Sequence, residues 1–247
     1  MKIITRINFF RRIRKKMADD NKPLKYTRYA IGEIVLVVIG ILIALQINNW
    51  NKELQNKTLE IKTLENLKID LDLQLEIIQK QLSMERYGLE KADSCLLMIN
   101  SKIDVFSLTK MLDNLSVRHT FIANKVTFEN LGLDGNTTII SNSDLQNEIV
   151  RYYQQLDYTM SVINNNNLYR TNSQFGTFVV NNTLGFRLNT EGELDLSYVM
   201  SPEQRFTLKK QLDGRRYSSA NNFNKCMTQM DLTKTLIQLI DKELENL

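Results

Sequence analysis

Few side chains in this sequence could carry out a reaction, and they do not assemble into a reactive pattern. His119 is the only histidine. That excludes His-rich zinc sites and His-pair motifs, and leaves a Ser- or Cys-based triad no base except His119 itself. We read His119 as a packed or polar structural residue. Asp134-Gly135 resembles a fragment of a calcium loop but lacks its spaced acidic ligands and its Glu. There is no Gly-rich phosphate loop or Walker lysine. Asp70, Asp72 and Glu76 are expected to form a solvated helix face rather than a metal or acid–base cluster. Cys95 and Cys226 are the only cysteines, and two outcomes are open for them: a bridge in an oxidising compartment, or two separate buried thiols. No catalytic residue, cofactor site or metal site is expected, and we do not expect an enzyme.

The strongest signal is apolar. Ile34–Leu45 is an unbroken hydrophobic run, and Ala30–Ile47 would extend roughly 27 Å as a helix, close to the ~30 Å of a bilayer core. Glu33 and Gln46 are its only polar residues and lie near its ends, while Tyr29 and Trp50 bracket it where aromatic belts belong. Ten basic residues stand against Asp19 and Asp20 in residues 1–28, so this segment carries +8 of a whole-chain +4 and leaves −4 beyond it. The positive-inside rule then puts the N-terminus in the cytoplasm and residues 51–247 outside it. No small-x-small cleavage site follows the run, so we expect an uncleaved signal anchor over 29–50. The cluster Arg11-Arg12-Ile13-Arg14-Lys15-Lys16 is expected to orient the span and rest on anionic headgroups, not to bind nucleic acid. Glu33, Val37, Gly40 and Ala44 share a face, and the small-xxx-small step suits helix packing within the membrane. Glu33 could equally meet Arg28 or the headgroups.

Beyond the span the periodicity is helical. Trp50, Leu54, Ile61, Leu64, Leu71, Leu75, Ile78, Leu82, Leu89, Ala92, Leu96 and Ile99 follow a coiled-coil-like four-three step, broken at Lys57, Lys68 and Glu85. No Pro or Gly lies between Ile41 and Tyr87, which predicts one helix running without a hinge to about Ile99. Leu59, Leu67, Ile69, Leu73 and Ile77 widen the face, favouring a bundle helix over a bare two-stranded coiled coil. A second helix is expected from a capping box at Ser143-Asp144-Leu145-Gln146, weakened or ended by Asn164–Asn167, with Phe175 and Phe178 pointing to its resumption. A third is expected from Ser201-Pro202-Glu203-Gln204 toward the C-terminus, with a possible break at Gly214. Thr127–Leu131 reads as a short helical turn closed by Gly135, residues 182–200 read as loop, and residues 100–142 are otherwise ambiguous. The predicted class is all-α: a basic segment (1–28), a spanning helix (29–50) and an extracytoplasmic helical domain (51–247).

The stretch Tyr29-Ala30-Ile31-Gly32-Glu33-Ile34-Val35-Leu36-Val37-Val38-Ile39-Gly40-Ile41-Leu42-Ile43-Ala44-Leu45-Gln46-Ile47-Asn48-Asn49-Trp50-Asn51 resembles the signature of a family of unknown function. Its members are small single-pass membrane proteins of Gram-negative bacteria. The run Thr127-Phe128…Leu131…Gly135-Asn136…Ile140-Ser141-Asn142…Leu145…Tyr152-Tyr153 is similar to a second, looser pattern of that family. The resemblance implies an inner-membrane address with a periplasmic helical part, and brings no catalytic residue with it. The leading expectation is a non-catalytic interaction or accessory module that presents a helical bundle to a protein partner or to itself. The alternative is a small-ligand sensor with a pocket among Tyr152, Tyr153, Tyr158 and Tyr169. A membrane-bound enzyme ranks last.

Overall fold

A computed structural model describes residues 23–99, 105–133, 139–182 and 201–247. The basic cluster before Pro23, the Asp134-Gly135 loop and residues 183–200 lie outside the described residues. What is described is helical and contains no strand: α1 (Pro23–Ile99), α2 (Val105–Ser116), α3 (Val126–Leu133), α4 (Ser143–Asn166), a π-helical segment (Asn167–Gly176), α5 (Thr177–Asn181) and α6 (Pro202–Asn246). The contacts divide the chain into two units, Met1–Thr58 and Leu59–Leu247. α1 contributes to both.

In the first unit every residue from Ile31 to Thr58 is exposed. An 18-residue window of this stretch has a mean hydropathy of 2.6 with none of it buried. By length and composition it is one helix able to cross a membrane.

The second unit is a bundle whose long members are α1 beyond Thr58, α4 with the π segment, and α6. Hydrogen bonds fix their directions. Tyr152 shares one with Thr233, Thr159 donates to Gln229, and Asn222 donates to Asn167. As numbers rise on one element they fall on the other, so α4 and the π segment run antiparallel to α6. Lys68 with Asp241, Glu85 with Asn222 and Asp93 with Arg216 do the same for α1 and α6. A four-three step runs through buried positions 60, 64, 67, 71, 74, 78, 81, 85, 88, 92, 95 and 99 on α1, and 208, 212, 215, 219, 222, 226, 229, 233, 236 and 240 on α6, with Thr63, Asp70 and Ser218 buried beside it. Leu64, Leu71, Ile78, Ala92 and Ile99 are on the seam that the sequence predicts, but Trp50 and Leu54 are exposed. Glu85, expected to break the seam, is one of its buried members.

The helix ends show which signals decided. Ser201 and Gln204 form the expected capping box at α6: Gln204 N donates to Ser201 Oγ and Ser201 N to Gln204 Oε1. At α4 the cap is Asn142 rather than Ser143. Its Oδ1 accepts from Asp144 N and Leu145 N, while its amide donates to Glu243 across the bundle, a second bond that a serine hydroxyl bound to the helix end could not also reach. Gly214 does not break α6; packing over 45 residues outweighs the ~1 kcal/mol that a helical glycine costs.

The asparagine run does not end its helix either. The chain passes from α4 into the π segment at Asn167 and returns to α-helix at Thr177. Buried residues here fall at strict four-residue steps: Ile163, Asn167, Thr171, Phe175, Val179. An α-helix would rotate each such step by about 40° off the core. The wider i→i+5 turns rotate less per residue and offset that drift. The asparagines also make bonds that hold this path. Asn164 pairs with both backbone groups of Phe121, Asn166 donates to Asn222, and Asn167 donates to the carbonyl of His119.

Candidate functional site

The apolar core of the bundle is two clusters rather than one. The first runs through Leu64, Leu67, Leu71 and Ile78 of α1, Leu145 to Ile163 of α4, and Cys226, Leu236 and Ile240 of α6. The second joins Ala92, Cys95 and Ile99 of α1 to Leu108, Leu112 and Leu115 of α2, Phe175, Val179, and Leu208 and Leu212 of α6. Between them all three long elements turn polar while staying buried: Gln81, Glu85 and Gly88 on α1, Asn167 and Thr171 on the π segment, and Arg215, Ser218, Ser219 and Asn222 on α6. A polar waist thus divides the bundle.

Asn222 is its hub. Its Nδ2 donates to Glu85 Oε1 at 3.0 Å and to Asn167 Oδ1 at 3.1 Å, and its Oδ1 accepts from Asn166 Nδ2 at 2.9 Å. Gln81 Nε2 donates to the same Glu85 oxygen at 2.8 Å. Arg215 lies on the second cluster's side. Its Nε donates to the carbonyl of Leu115 in the last turn of α2 at 3.0 Å, and its NH1 donates to Ser219 Oγ. Burial pushes the guanidinium below its usual range, and the Glu85 carboxylate opposes that shift. The Glu85 Oε2, Thr171 Oγ1 and Ser218 Oγ atoms are buried with no hydrogen-bond partner among the described residues. Such a layer specifies register: slipping any helix by a turn would set buried amides and charges against apolar neighbours.

Gly88 belongs to this layer because a Cβ there would stand 2.8 Å from Ser219 Oγ and 3.4 Å from Arg215 NH2. The serine can turn away only by giving up Arg215. Gly88→Ala is therefore expected to destabilise by about 1–2 kcal/mol despite alanine's better helix propensity. Gly214, also helical, has open space at its Cβ position, and Gly214→Ala is expected to stabilise by about 0.5–1 kcal/mol. Thermal melts of the two variants check both signs.

The residues singled out from sequence scatter. Glu33, Val37, Gly40 and Ala44 all lie exposed on α1, and nothing approaches the Gly40 Cβ position within 4 Å. A shallow recess of about 360 Å³ on that stretch is lined by Ala30, Glu33, Ile34, Val37 and Val38. Asp72 and Glu76 are solvated as expected, but Asp70 is buried. It takes Thr127 N at 2.7 Å and the Asn124 amide, and so pins the start of α3 to α1. His119 is exposed and enters the structure through its carbonyl. The four tyrosines do not share a pocket. Tyr152 bonds Thr233 and Tyr153 stacks on Phe128, both within the core, whereas Tyr158 and Tyr169 are exposed.

Cys95 and Cys226 stand as free, buried thiols in this structure, one in each apolar cluster with the waist between them. Burial pushes Cys95 up to about 11 and Cys226 up to about 12. Both are expected to stay unreactive toward a thiol reagent in the native state and to titrate as two on unfolding; fewer than two would mean a bridge. Their raised values add stability below the ordinary thiol pKa of 9.0, where both states are protonated. That stability is lost as pH climbs from 9 toward 11–12, because only the unfolded thiols ionise there.

A family model matches residues 33–200, and no curated protein or solved structure matches the chain. The matched region carries Glu85, Asn167 and Thr171; the α6 half of the waist lies beyond it. With well over half its length covered, the chain belongs to a family of unknown function, DUF6090.

Proposed function

We propose that this protein is a non-catalytic, single-pass module of the bacterial inner membrane. Ala30–Ile47 anchors it, the basic N-terminus stays in the cytoplasm, and Leu59–Leu247 is presented in the periplasm to a protein partner. The observation that carries this reading is the apolar stretch of α1, which is exposed from Ile31 to Thr58 among the described residues. A run this long and apolar is stable when lipid covers it. The basic excess before it supports the orientation. On the outer side the bundle has a core fixed by a polar register, the build of a rigid presenting surface. A phosphatase reporter fused after Leu247 is expected to be active and a cytoplasmic reporter there inactive; the reverse pattern sinks the topology.

A second reading, a small-ligand sensor, draws on one groove. Ser116, Asn172, Ser173, Gly176, Thr177, Val180 and Asn181 line a recess of about 400 Å³ beside the π segment, with hydroxyls and amides as its polar groups. A neutral hydrogen-bonding ligand would suit it. Ligand-dependent thermal stabilisation lost in Val180→Trp, which adds bulk at an exposed lining position of the recess, would favour this reading over the first.

A further inference from the structure

No acidic residue occurs between Asp157 and Glu191, and none between Asp213 and Asp231. The antiparallel register sets these acid-free stretches side by side: the end of α4 with the π segment, and the middle of α6. Tyr158, Tyr169 and Tyr217 stand out from them at 53, 62 and 60% exposure. Two cations lie over two of the rings. Lys225 Nζ is 4.9 Å from the centre of Tyr158, and Arg170 Cζ is 5.3 Å from the centre of Tyr217. Each pair crosses between the two elements, and the Asn166–Asn222 bond crosses between the pairs. Neither Arg170 nor Lys225 has a carboxylate partner among the described residues, whereas Arg216, next to Tyr217, is held by Asp93 toward α1.

We propose that this flank is the docking surface for an acidic helix of a partner protein, whose carboxylates are taken by Arg170 and Lys225 while its apolar stems lie on the three tyrosines. The proposal rests on the partner-binding reading and specifies the partner's chemistry. Charge complementarity argues for it: among the described residues the two acid-free stretches put uncompensated positive charge on this flank and no carboxylate of their own to repel a partner's. Tyrosine and arginine are also the side chains that most often carry interface energy. A cation already seated on a ring has lost part of its rotamer freedom, so less ordering remains to oppose binding. Tyr217 and Lys225 are eight residues apart on α6, about 12 Å along its axis. A partner helix lying alongside would offer carboxylates about seven or eight residues apart on one face.

The probe is a labelled helical peptide with glutamates at that spacing, titrated by fluorescence anisotropy against the full chain in neutral detergent micelles. Arg170→Glu with Lys225→Glu is expected to weaken binding about tenfold or more, and Lys234→Glu, an exposed site elsewhere on α6, by less than about twofold. A glutamine version of the peptide is expected to lose as much as the double reversal. Equal losses in the double reversal and Lys234→Glu would overturn the proposal, as would no binding. Competition by an oligonucleotide or by anionic vesicles as effective as the peptide's own would also overturn it. In membranes, a photocrosslinking residue at position 217 is expected to capture a protein, and the double reversal to abolish the capture. Capture only from other faces of the domain removes this flank and leaves the partner-binding reading standing; capture from no face removes both.

Discussion

Replacing Asn222 with alanine is expected to cost the domain about 3–5 kcal/mol, the sum of several buried groups left without partners at about 1–3 kcal/mol each. The substitution strips Glu85 of one of its two donors, Asn167 of its partner on α6, and Asn166 of its acceptor. Glu85 and Asn167 are held where water cannot easily substitute, and Asn166 is half-buried. Denaturant unfolding of the full chain in detergent, followed by circular dichroism, reads the loss as a lower midpoint. Glu85→Gln provides the contrast. Its amide oxygen still accepts from Gln81 and Asn222, so the hub is kept and the change is expected to cost less than Asn222→Ala. Its cost is the buried Arg215 charge left without the opposing carboxylate. Equal effects from the two variants would mean that the carboxylate's charge, not the hydrogen-bonded hub, holds the waist.

Arg215→Met is the second large effect, expected at about 2–4 kcal/mol. Methionine fills much of the volume, so what is lost is chemical: the donor to the Leu115 carbonyl, the donor to Ser219, and the buried cation whose field opposes the Glu85 charge. Because Arg215 ties the last turn of α2, the α2 amides of this variant are expected to exchange faster than those of α4. The charge component is separable. In Arg215→Met with Glu85→Gln the losses should fall short of additive by about 1 kcal/mol or more, since the carboxylate that the arginine balanced is gone. Strict additivity would show that the two buried charges do not interact.

How much of this could be read from the sequence depends on which force decided each element. α1 and the start of α6 were legible because long periodicity, absence of proline and a capping box all pointed the same way. The α4 start moved by one residue because Asn142 answers to Glu243, a partner far away in sequence. The π segment was hidden behind four asparagines whose usual preference is for turns; the side chains of Asn164, Asn166 and Asn167 find tertiary partners here, which no local rule registers. Asp70 departs from the expected solvated face for the same reason, since its carboxylate takes Thr127 N and the Asn124 side-chain amide, partners far away in sequence. The waist itself left a trace. Gln81, Glu85 and Gly88 fall on the same four-three step as Ile78 and Ala92, and Arg215, Ser219 and Asn222 continue the step of Leu212 and Cys226. Reading polar residues as breaks in the seam, rather than as its members, concealed them. The pairing between those two seams needs the fold.

The proposed function stands or falls on whether the domain beyond Thr58 meets a protein. Intact cells would be treated with a membrane-impermeant amine crosslinker, and the full-length chain purified from the membrane fraction and resolved by mass. The account requires a discrete adduct of this chain with another protein, formed through residues beyond Thr58. Recovery of the chain from the soluble fraction would contradict the anchor. Recovery from the membrane without any adduct, under conditions that crosslink other periplasmic assemblies, would contradict the partner.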